Sequence, residues 1–306
     1  MHGAASTTSK NILVCIHGAY CDGQLFTYLA KQISQRGFRV YALDLPGHGR
    51  SGGSRGDTQF EDCLVSLNEV IQTIKNITVN RIRDEEGDQT NFSYKINNNK
   101  NNRDKIRTFV LGHSLGCTFA LWYVRRFKGT VDGIILMSPY LRIPMIKKRS
   151  EVEPSMLHFL YLLLRRQLTP TKIMKFVDVI PKLKKIGGEE IALLLKYKEN
   201  NFRYTLRFIV DTVGLRNDKI REILNVNLPT LILHGRQDRL VYSEVSQALF
   251  KMIESPRKEI KLFECDHWFY HCIYYQELVQ LLSYQYSDLE RNMIIQTIVN
   301  WMNQAS

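Results

Sequence analysis

The chain has 306 residues, 44% hydrophobic and 24% charged, with a formal net charge of +12. Such length and apolar content exclude a disulfide-stapled miniature or a disordered tail and suffice for one large domain or two ordinary ones. The positive balance admits nucleic acid, an anionic membrane surface or acidic substrates as partners.

The opening MHGAASTTSK holds no apolar core of the signal-peptide kind. Strands are expected at 11–18 (NILVCIHG), 38–47 (FRVYALDLPG), 108–114 (TFVLGHS), 133–139 (GIILMSP), 230–235 (TLILHG) and 259–264 (EIKLFE). These runs are apolar throughout rather than alternating, as parallel strands covered on both faces require. Amphipathic helices are expected at 25–35, 59–75, 115–127 and 243–253. Strand–helix alternation at this spacing gives an α/β fold, a mostly parallel sheet of about six strands flanked by helices.

Two segments interrupt the rhythm. Residues 76–105 are polar, Asn-rich (INNNKNNRDK) and without a period, and are expected to be a surface insertion. The stretch 142–227 has no strand-like run, only helical patterns with basic faces. A helical cap over 141–227 is therefore expected, inserted between strands of a core at 11–140 and 228–306. Between Arg142 and Glu222 there are 18 Lys/Arg against 9 Asp/Glu, so this segment holds most of the surplus charge. No nucleic-acid motif accompanies it, so nucleic acid is not expected; an anionic membrane surface is the better candidate for peripheral contact. The apolar run MLHFLYLLL at 156–164 is about half of the ~20 residues a membrane span needs.

Cys15, Cys21, Cys63, Cys117, Cys265 and Cys272 form no C-x-x-C pair and are read as free thiols of a cytoplasmic protein. No metal-ligand spacing occurs, and no metal or cofactor is expected. Nothing in the sequence sets an oligomeric state.

The chemistry centres on Gly112-His113-Ser114-Leu115-Gly116, which follows an expected strand and opens an expected helix. That context is a nucleophile elbow, a turn so tight that glycines must flank it and the serine hydroxyl projects at the sheet edge. A glycine-rich turn without chemistry is the alternative. A serine needs a base oriented by a third group, and in this fold the order is serine, acid, histidine. Asp238 in LILHGRQDRLV follows one strand, and His267 in KLFECDHWFYH follows the last. Asp266 is a weaker rival for the acid, and His271, expected on a helix, for the base. Leu115 N–H and, from the HGAY loop, Ala19 N–H are candidates for the oxyanion hole. His17 and His113 are expected to pack around the site.

HGAYCDGQ, DLPGHGRSGG, GHSLG, HGRQD and the late DH together resemble the α/β-hydrolase superfamily, and DLPGHGRS with a helical cap resembles its monoacylglycerol lipase and lysophospholipase-like branch. The resemblance covers roughly 11–140 and 228–272. It implies a serine hydrolase with Ser114, Asp238 and His267 as triad, Ala19 and Leu115 as oxyanion hole, and Asp44 and Arg50 ordering a neighbouring loop. It departs from the family at Cys265-Asp266, where a glycine often precedes the histidine, and at the first strand, because the strand bearing HGAY opens the sequence and the family's usual first two strands are not expected. The expected substrate is a small-molecule carboxylic ester, lipophilic in the manner of a monoacylglycerol or lysophospholipid. A small-ester esterase, a thioesterase, an acyltransferase or a non-catalytic ligand-binding member remain open on the same scaffold.

Overall fold

The computed structural model of the protein describes residues 10–19, 21–86, 106–141, 143, 146, 173–175, 203–215, 220–269 and 288–305. The six apolar runs form strands, separated after β4 by a short extra pair. They are β1 (Asn11–Ile16), β2 (Arg39–Leu43), β3 (Arg107–His113), β4 (Gly133–Met137), β5 (Ile173–Lys175), β6 (Arg203–Thr205), β7 (Thr230–Gly235) and β8 (Lys258–Phe263). The main sheet runs β2-β1-β3-β4-β7-β8 with every neighbouring pair parallel. β1, β3, β4 and β7 are buried almost throughout, which is why their sequences do not alternate.

Among the described residues five helices cover the sheet: α1 (Thr27–Ser34), α2 (Phe60–Glu86), α3 (Leu115–Arg126), α4 (Ser243–Met252) and α5 (Asp288–Gln304). Successive strand residues point to opposite faces, so the core divides in two. Leu13, Cys15, Phe109, Leu111, Ile135 and Leu233 pack with residues of α1 and α5. Ile12, Val14, Val110, Ile134, Leu136 and Ile232 pack with α2, α3 and α4. The C-terminal carbonyls of α5 are capped from the sheet: Arg107 Nη1 donates to Met302 O at 3.2 Å, and Arg257 donates to Gln304 O.

Two expectations are corrected. Residues 76–86 are not part of an irregular insertion but the last three turns of α2. Thr78 is fully buried there and donates its hydroxyl to Ile74 O at 2.9 Å, so a polar residue sits at a core-facing position and hides the helical period. The remainder of that segment, 87–105, lies outside the described residues. The region 141–227, expected to be wholly helical, contains the antiparallel pair β5–β6 in the register Ile173↔Thr205. Strands of three residues are too short to show a period. Apart from 203–215 and 220–227, most of the expected cap lies outside the described residues. Among the described residues Cys15, Cys21, Cys63, Cys117 and Cys265 are buried and form no disulfide, and no helix is long and apolar enough to cross a membrane.

Candidate active site

β3 ends directly in α3, with Ser114 as the single residue between them. Its φ of 53° and ψ of −117° are a conformation that costs a non-glycine residue on the order of 1–3 kcal/mol and persists only where the surroundings impose it. They do so here. Ser114 N–H donates to Met137 O at 2.8 Å, and Ser114 O accepts from Cys117 N–H and Tyr140 N–H. A Cβ on Gly112 would strike the backbone of Gly116, and one on Gly116 would strike Ile16 O. The two glycines are thus what lets α3 start against β1 and β3.

Asp238 lies three residues beyond β7, and His267 four beyond β8. Both are buried, and His267 Nδ1–H donates to Asp238 Oδ2 at 2.7 Å. Asp238 Oδ1 accepts from Leu240 N–H at 2.9 Å and Val241 N–H at 2.7 Å, and Oδ2 also accepts from Ser138 Oγ–H at 2.7 Å. Burial would raise the Asp238 pKa. The charge of a protonated His267 and hydrogen bonds from the His234 and His267 side chains outweigh it, and the carboxyl is held well below the ordinary carboxylate range. His234 Nε2–H is shared, 2.8 Å from Val241 O and 3.2 Å from Asp238 Oδ2.

His267 stands beside the elbow. The ring of His113, the residue before Ser114, is 4.9 Å from the ring of His267, and His113 Nε2–H donates to His267 O at 3.0 Å. Burial, reinforced by His267, pushes the His113 pKa down to about 3, so it is neutral packing rather than a base. His17 is likewise occupied: its Nδ1–H donates to Gly18 O at 2.8 Å while Nε2 accepts from Leu45 N–H at 3.2 Å.

Gly18 is the close approach on the opposite side, where an added Cβ would lie 3.0 Å from Ser114 Cβ. Ala19 follows it, half-buried, and Leu115 is the first residue of α3, where amides lack intrahelical partners. Asp266 accepts from Trp268 N–H at 2.8 Å inside its own turn, whereas Asp238 holds His267. His271 lies outside the described residues. Asp44 accepts from Gly23 N–H at 2.6 Å and from the backbone N–H of Arg50 at 2.8 Å, ordering the loop after β2. Sequence reasoning missed Ser138 and His234; their only signals were a serine ending a strand (MSP) and a histidine preceding the glycine of HGRQD.

A cavity of about 580 Å³ runs along β2 between α1 and α2, lined by Gln24, Ala30, Leu43, Leu67 and others. Ser114, Asp238 and His267 do not line it.

Residues 7–277 match the family described as Hydrolase_4, serine aminopeptidase S33. The chain belongs to that family. Within the α/β-hydrolases it resembles the monoacylglycerol lipase-like branch. It is 25% identical over 268 residues to a monoglyceride lipase homolog of monkeypox virus, covering 84% of this chain and 81% of the relative. It is 20% identical over 300 residues to a monoacylglycerol lipase of Mycolicibacterium smegmatis, covering 97% and 89%. The crystal structure of a Paleococcus ferrophilus monoacylglycerol lipase superposes with a TM-score of 0.67 at 20% identity over the full length of both chains. A soluble variant of the Saccharomyces cerevisiae monoglyceride lipase gives a TM-score of 0.69 at 16% identity, over 100% of this chain and 90% of that one.

Proposed function

We propose that this hydrolase cleaves lipophilic carboxylic esters of the monoacylglycerol or lysophospholipid type through an acyl-Ser114 intermediate. The observation that carries the reading is the buried Asp238–His267 hydrogen bond of 2.7 Å set against a strained serine at a strand–helix turn. His267 takes the Ser114 proton at Nε2 as the hydroxyl oxygen attacks the ester carbonyl, because Nδ1 is committed to Asp238. The resulting oxyanion is met by the Ala19 and Leu115 amides. Collapse expels the alcohol, which leaves with the proton from His267. A water then repeats the sequence on the acyl-serine, its proton passing to His267 and back to Ser114 as the acid is released. Asp238 stays ionised throughout and stabilises the imidazolium.

The substrate class is supported by the names of the relatives and by the composition of the 141–227 segment, rich in Leu, Phe, Tyr and Met and carrying most of the basic surplus. As a cap, that segment would face an acyl chain inward and an anionic interface outward, each basic residue near such a surface contributing about 1 kcal/mol. The test is labelling by a fluorophosphonate probe in wild type and Ser114→Ala, followed by 4-nitrophenyl esters from acetate to palmitate. The expected result is labelling that vanishes in the variant and a rate optimum at medium or long acyl chains. An acetate optimum rejects the lipid substrate, and a folded wild type that never labels rejects the mechanism in favour of a binding protein on the same fold.

A further inference from the structure

Ser138 belongs to none of the motifs that mark the site, yet it is fully buried and has a φ of 44°. It follows β4, and its N–H donates to Leu233 O at 2.9 Å, continuing the β4–β7 pairing past the last strand residue. Ser114 and Ser138 therefore occupy equivalent places, the carboxyl ends of the adjacent strands β3 and β4, both in backbone conformations that favour glycine. In a buried position a serine in place of glycine adds only a Cβ and a hydroxyl. That hydroxyl donates to Asp238 Oδ2 at 2.7 Å, the same oxygen that receives His267 Nδ1–H.

The two carboxylate oxygens are held differently. Two backbone amides, Leu240 and Val241, fix Oδ1. A carboxylate pinned at one oxygen can still swing the other out of line with its partner. Ser138 approaches that second oxygen from a different strand, 100 positions away in sequence. We propose that Ser138 is a positioning residue, whose hydroxyl locks Asp238 Oδ2 in line with His267 Nδ1 and so aims the imidazole at Ser114. This rests on Ser114 as nucleophile and His267 as base.

Titratable groups surround His267. Among the described residues Asp238 after β7 and His113 at the end of β3 contact it, His234 within β7 lies behind Asp238, and Asp266 is its neighbour in the loop, turned to Trp268 N–H. Changing Ser138 removes none of these titratable groups, so an altered pH profile reports the lost hydroxyl. Without it the Oδ2 charge is shared with one donor fewer, and the protonated form of His267 is better stabilised.

Two variants separate positioning from backbone shape. Ser138→Gly relieves the left-handed backbone, whereas Ser138→Ala keeps the Cβ; both delete the hydroxyl. The expected result is that each lowers kcat about tenfold with KM little changed, the worth of one hydrogen bond to a charged group. Each should also move the acid limb of kcat/KM to higher pH, while Ser138→Gly melts no lower than wild type. Equal activity and an unmoved acid limb in either folded variant overturn the inference, as does a loss confined to Ser138→Ala. Fluorophosphonate labelling of wild type at Ser114 is run alongside. Labelled wild type with unaffected Ser138 variants sinks this inference alone, and unlabelled wild type sinks it together with the mechanism it rests on.

Discussion

A buried carboxylate kept ionised by several donors can stabilise positive charge on the imidazole beside it and fix which of its nitrogens carries the proton. Asp238→Asn tests the second role. The side-chain amide can donate to His267 Nδ1, which moves the ring proton to Nε2 and leaves no lone pair for Ser114. The expected fall in kcat is about 10⁴-fold, with a melting temperature close to wild type, because shape and most contacts are kept. Steady-state ester hydrolysis beside a thermal melt checks it, and a loss below tenfold would show that His267 does not depend on that carboxylate. The placement of Ser114, Asp238 and His267 at strand ends was legible in the sequence because each sits a few residues past an apolar run, where turn chemistry is local. Ser138 was not: its partner lies across the sheet, and no local pattern records a contact between the ends of two strands.

The strands were legible for the reason that makes them strands, since a run buried on both faces must be apolar throughout. The helices were legible where one face is apolar, and α2 was cut short where Thr78 stands in for an apolar residue. The elbow adds a prediction about element packing. Gly116→Ala would place a methyl against Ile16 O, in backbone that cannot yield without separating α3 from β1. It should cost about 3 kcal/mol, the upper range for overpacking, read as a lowered urea midpoint. The segment after β6 adds another. Thr205 N–H donates to Gly56 O, Thr205 Oγ1 and Arg207 both donate to Asp57 Oδ1 at 2.8 Å, and Tyr204 OH lies 2.9 Å from His48 Nε2. One carboxylate thus fastens 203–208 to the loop that follows β2. Asp57→Ala should make the 203–215 region the first site of limited proteolysis while the melting temperature of the core falls by only a few degrees. An unchanged cleavage pattern would show that the apolar contacts of Tyr204 and Phe208 hold this segment unaided.

At the scale of the whole molecule, stability depends on two histidines that the fold keeps neutral. Burial, with the nearby His17, pushes the His48 pKa from its ordinary 6.5 down to about 3, and burial with His267 does the same for His113. Each bridges separate parts of the chain, His48 joining Pro46 O to Tyr204 and His113 joining the elbow to the His267 loop. Below pH 6.5 the unfolded chain binds protons at both sites and the folded chain does not. Stability is therefore full above about pH 6.5 and is lost as pH falls toward 3. Each histidine should account for roughly 2 kcal/mol of the loss between pH 6.5 and 5, since one proton changes stability by about 1.4 kcal/mol per pH unit. The depressed Asp238 pKa has the same sign, but its contribution begins to fade only nearer the ordinary carboxylate range, so the first decline belongs to the histidines. Urea midpoints at pH 7.5, 6, 5 and 4.5 should fall steadily. His48→Asn, although less stable at pH 7.5, should show a shallower slope than wild type because one of the two uptake sites is gone. Parallel slopes in the two proteins would mean that His48 is protonated within the fold and that its bond to Tyr204 does not require the neutral ring.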